Sequence, residues 1–108
     1  MSEESDIQSA IMDMLTSHLN VSWCFVTTSG RVKISARTGV KNHWVTLGMP
    51  GLPDIIGMLR GGISFGIEVK QPGSKPTESQ IDFIRHATAH GGRYGWATNV
   101  STAMGIIE

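Results

Sequence analysis

The sequence is poor in cysteine, in long apolar runs and in net charge, and each shortage removes a class of protein. Cys24 is the one cysteine in 108 residues, so no internal disulfide can form and nothing asks for an oxidising compartment. No apolar run nears the roughly 20 residues of a bilayer-spanning helix. The start, Met-Ser-Glu-Glu, lacks the basic segment and apolar stretch of a secretory leader. A cytoplasmic protein with no membrane partner is the expectation. Repeats, low-complexity tracts and linkers are also missing, so residues 1–108 read as a single domain. Neither glycine-rich stretch, 48–51 or 73–75, ends in Gly-Lys-Ser/Thr, which removes a nucleotide P-loop and leaves no small-molecule cofactor in prospect. No Ser or Cys stands in a nucleophile-elbow context. Nine basic and nine acidic residues cancel, which on totals argues against a polyanionic partner.

The distribution of charge softens that last exclusion. Residues 1–13 carry Glu3, Glu4, Asp6 and Asp13 and no base, whereas residues 31–75 carry Arg31, Lys33, Arg37, Lys41, Arg60, Lys70 and Lys75. The same stretch holds only two acids, Asp54 and Glu68. A basic middle around an acidic centre suits a polyanion, and a solvated surface of mixed charge is the plainer alternative.

Periodicity sets the elements. Ile7, Ile11, Met14, Leu15, His18 and Leu19 recur at helical spacing after a cap at Ser5 or Asp6, with Asn20 as the stop. Extended segments follow at 22–28 and 31–36, separated by the turn dipeptide Ser29-Gly30, and at 43–47. Two strands at about 54–60 and 63–69 are apolar at nearly every position, as for central strands covered on both faces. Thr77 and Gln80 fit a capping box for a second helix that stops at Gly91-Gly92. A strand at 94–98 and a short helix from about 101 complete an α+β order, αβββββαβα, around one mixed sheet.

The chemistry is concentrated in Pro53-Asp54, thirteen intervening residues, and Glu68-Val69-Lys70. Glu68 and Lys70 share a face because strand side chains alternate. A two-residue turn at Gly61-Gly62 would send Asp54 to the other face. A three-residue turn, Arg60-Gly61-Gly62, or a bulge at Gly57 or Gly66, sets Asp54 opposite Glu68 and Phe65 across from Gly57. Two converging carboxylates repel unless a hard divalent cation, Mg²⁺ or Mn²⁺, lies between them. Asp54 and Glu68 are then ligands, with the Val69 carbonyl as a third. Lys70 orients water or neutralises charge on a phosphate, and Gln80 reaches the water or the substrate. The plainer alternative is a turn Asp and a surface Glu–Lys pair.

These residues resemble the PD-(D/E)xK nuclease superfamily, and more closely its VRR-NUC (virus-type replication-repair nuclease) domains. The likeness rests on Glu4-x-x-Ile7-Gln8, Gly51-x-Pro53-Asp54, Ile67-Glu68-Val69-Lys70-x-Pro72-Gly73, Thr77-x-x-Gln80 and Gly91-Gly92, which span nearly the whole chain. It implies a restriction-endonuclease-like fold, Mg²⁺- or Mn²⁺-dependent DNA cleavage, and Glu4 as a further carboxylate near the metal, with Glu3 the competing choice. Short stand-alone members, from phages and bacteria, are similar in cutting branched DNA such as four-way (Holliday) junctions as homodimers; the host cytoplasm is the setting if this chain is phage-encoded. A scaffold that binds branched DNA or a protein without cutting is the alternative function. Arg31, Lys33, Arg37 and Lys75 are candidate phosphate contacts. His86 and His90 could form a zinc pair, but an exposed polar ridge is favoured because no third ligand is near in sequence. Trp23, Trp44 and Trp96 are assigned to core or dimer contacts ahead of base stacking, and Met12, Met14, Met49 and Met58 to packing.

Overall fold

The computed structural model describes residues 3–27, 30–34, 43–47 and 49–108, the segments 30–34 and 43–47 through their backbone alone. The element order is α1 (Glu3–Ser17), β1 (Val21–Val26), β2 (Gly30–Ile34), β3 (His43–Leu47), β4 (Ile55–Leu59), a 3-10 turn (Arg60–Gly62), β5 (Ile63–Val69), α2 (Glu78–Ala89), β6 (Arg93–Ala97) and α3 (Val100–Ile107). The fold is a mixed α+β one, compatible with the nuclease-like architecture that the motifs imply. Four strands form a sheet in the order β1-β4-β5-β6, antiparallel except for the parallel β5–β6 pair. The strand β1 pairs with β4, while β2 pairs with β3 in a separate two-stranded sheet. Among the described residues no helix is long and apolar enough to cross a membrane.

The sheet has two differently used faces. Ile55, Leu59, Phe65, Ile67, Val69 and Ala97 are buried on one of them with Ile11 and Leu15 of α1 and Ala103 and Ile107 of α3. Each Val, Leu, Ile or Phe side chain among them contributes about 1.5–3 kcal/mol by leaving water. The helical stripe read from the sequence ends sooner than expected. The helix stops at Ser17, so Leu19 falls in a turn and is 86% exposed. The start also differs, at Glu3 rather than after Ser5 or Asp6, which places three acids in the first turn where the helix dipole favours them. On the second face α2 lies against β6, with the Phe83 and Tyr94 rings 6.0 Å apart. Trp23, Phe25 and Trp96 remain large exposed apolar residues, as does Met49. A core role for Trp23 and Trp96 and a packing role for Met49 are therefore corrected, whereas Met12 and Met14 do pack on the core.

Candidate active site

The turn between β4 and β5 fixes the geometry of the site. It has three residues, and Gly61 and Gly62 both adopt positive φ, 83° and 79°, which glycine tolerates without strain. The resulting register pairs Gly57 with Phe65 and Ile55 with Ile67. Carried one step further it sets Asp54 opposite Glu68. The aromatic-over-glycine pair is real and tight: a Cβ on Gly57 would lie 2.7 Å from the Phe65 ring and 2.2 Å from the Trp23 carbonyl oxygen. A bulge within β4 or β5 is therefore not needed to bring the acids together.

Asp54 is held by backbone on both sides. Its Oδ2 accepts a 2.9 Å hydrogen bond from the Val69 amide. Its carbonyl accepts from the Thr27 amide at 2.7 Å, and the Thr27 hydroxyl donates to the Pro53 carbonyl at 2.8 Å. Pro53 itself is fully buried, and a Cβ on Gly66 would strike both its ring and that of Tyr94. Gly51, at φ 79°, lies so close to α2 that a Cβ would fall 2.1 Å from the Ser79 carbonyl oxygen. The Gly-x-Pro-Asp turn is thus seated on Gly66 from above and on the first turn of α2 from the side. Nothing in the sequence singled out Thr27, because its partners lie 26 and 27 positions away and a threonine at a strand end is unremarkable.

Glu68 is the anomaly of the molecule. It is 3% exposed, the buried charged residue of the described chain, and its Oε2 has no hydrogen-bond partner. Burial, then a hydrogen bond that the protonated Glu68 donates to Asp54 and the negative charge of Asp54, push its carboxyl up to about 9, with Lys70 pulling the other way and Glu4 adding to the rise. Three of the expected residues, Asp54, Lys70 and Glu4, therefore act on the carboxyl of a fourth, Glu68. Glu4 lines a polar cleft with Ser5, Gln8 and Gln71, while Glu3 lines a different, apolar groove with Asp6, Ile7 and Val100. That separates the two candidate acids: Glu4 is on the side of the site. Among the described residues no group of three or more His, Cys, Asp or Glu side chains is arranged to hold a metal ion. What stands ready is the Asp54–Glu68 pair, with one Asp54 oxygen turned to the Val69 amide.

The donor set still suits a hard cation. Oxygen ligands, a close carboxylate pair and an orphaned buried carboxylate oxygen are what Mg²⁺ or Mn²⁺ resolves. Lys70 is half-buried, with its amide bonded to the Ala97 carbonyl at 3.0 Å. Gln80 is partly committed, because its Oε1 accepts from the Thr77 amide at 2.7 Å in the capping box; its amide nitrogen is the end left for substrate. Lys75 is exposed in the loop before α2. Arg31 and Lys33 occupy alternate positions of β2, opposite Thr46 and Trp44 of β3, and Arg37 lies outside the described residues. His86 and His90 are exposed, their rings tilted at 35° with centroids 4.4 Å apart and His90 Nδ1 against the His86 carbonyl at 2.9 Å. Comparison of the sequence with family models and with characterised proteins returns no match.

Proposed function

We propose that this chain is an Mg²⁺- or Mn²⁺-dependent endonuclease of VRR-NUC type that hydrolyses phosphodiester bonds in branched DNA, four-way junctions among them, as a homodimer. The observation that carries the proposal is the partnerless Oε2 of Glu68 beside the fixed carboxyl of Asp54. A buried acid left unpaired is costly and needs a reason to persist. Glu68, Asp54, the Val69 carbonyl and Glu4 are the groups that would hold the cation. When bound, it supplies Lewis acidity at a phosphate oxygen and makes a strong nucleophile available near neutral pH. Lys70 contributes a fixed positive charge where the phosphate gains negative charge, and Gln80 positions substrate or water through its free amide end. Two copies about a two-fold axis present two sites, as cutting both strands of a symmetric junction requires.

The test is cleavage of end-labelled branched and linear duplex DNA with Mn²⁺ and with EDTA. Cleavage of the branched substrate is expected only with the metal. Asp54→Ala and Lys70→Ala should each lower the rate by about 10²-fold or more, the scale for loss of a transition-state charge contact, while still shifting the DNA on a gel. Binding that survives EDTA with no product at any Mn²⁺ concentration would instead make the chain a binding module.

A further inference from the structure

Trp23 and Phe25 present an unexplained surface. They are 48% and 49% exposed on the edge strand β1, with ring planes within 14° of parallel and centroids 6.0 Å apart. Their partners across β4 are Met58 and Ile56, and Asp54 follows two residues on from Ile56 along the same face. Phe25 is thus two strands across and two residues along from Glu68, about 12 Å between Cα atoms at standard sheet spacings. On the strands of this face the acids are Asp54 and Glu68, while Lys70 stands at one end and the exposed Arg60, in the turn after β4, at the other. Water-exposed aromatics next to each other on a sheet, bracketed by bases, are suited to stacking nucleobases.

Resting on the nuclease reading above, we infer that Trp23 and Phe25 form a stacking platform for unpaired bases next to the scissile phosphate. The ring spacing decides the substrate class. Bases in a duplex strand repeat at about 3.4 Å and hide their faces against one another, whereas these rings stand 6.0 Å apart. Two successive bases can each lie on a ring only when the strand has left the duplex stack. Among branched DNAs the one preferred therefore carries unpaired nucleotides beside the cut, ahead of a four-way junction that is paired throughout.

The test uses duplex DNA with a short unpaired arm and 2-aminopurine as its first unpaired base, bound in EDTA. Quenching of the probe is expected with the natural protein and with Trp23→Phe. It should be lost in Trp23→Ala/Phe25→Ala, with affinity for the armed DNA reduced about five-fold or more per base and affinity for fully paired duplex unchanged. Single alanine variants, checked by circular dichroism melts, guard against a folding defect. Undiminished quenching in the double variant, or equal loss of affinity for paired duplex, overturns the platform. So does a dimer-to-monomer shift in sedimentation with no change in quenching, which would assign the patch to a second copy. The two readings fail separately: quenching without cleavage in Mn²⁺ retains the platform and removes the nuclease, and cleavage without quenching does the reverse.

Discussion

At the scale of single residues, Glu68 links the site to stability. Its carboxyl is raised from the usual 4.5 to about 9, so without a cation it is protonated in the folded state through neutral pH. A raised pKa contributes stability that is fully present below the unfolded value and is lost as pH climbs to the folded one. The metal-free protein should therefore lose stability between about pH 4.5 and 9, at no more than about 1.4 kcal/mol per pH unit. Glu68→Gln, neutral at every pH, should flatten that slope and be the more stable form at pH 8. Urea unfolding in EDTA at pH 5 and pH 8 measures both. Parallel slopes for the two proteins would mean that this carboxyl is as well solvated folded as unfolded.

At the scale of elements, the site depends on two contacts made by chain segments rather than by head groups. The Gly51 turn rests directly on the α2 backbone, so Gly51→Ala meets both a positive φ and a backbone atom that cannot move aside. A loss of about 1–3 kcal/mol is expected, with a fall in cleavage because Asp54 shifts along with the turn; denaturant midpoints and cleavage rates check the two parts. Much at this scale was legible. Gly61-Gly62 and the Phe65–Gly57 pair were enough to place Asp54 opposite Glu68, and Thr77 with Gln80 was enough to start α2. Other features were not legible, for physical reasons. Helical spacing continues to Leu19 whether or not the backbone does. The partner of β1 is β4, 29 or more residues distant at every matched pair, and no local pattern encodes that choice. Trp23 and Trp96 carry the hydrophobicity of core residues, and only the finished sheet leaves them uncovered.

At the scale of the whole molecule, the acids come from three separated places: Glu4 from the start of α1, Asp54 from the turn before β4, and Glu68 from the end of β5. The choice of Glu4 over Glu3 rested on the family likeness and not on composition or spacing, since adjacent first-turn acids are equivalent until the helix is docked and one side of it faces Gln71. A cation held by all three would tie the first helix to the central strands and stabilise the fold in proportion to its concentration over its dissociation constant. Titration calorimetry with Mn²⁺ reads this most directly. The natural protein should take up Mn²⁺ with measurable heat, and Asp54→Ala and Glu68→Ala should show none under the same conditions. Uptake of equal affinity in either variant, or none in the natural protein, would contradict a shared-ion site.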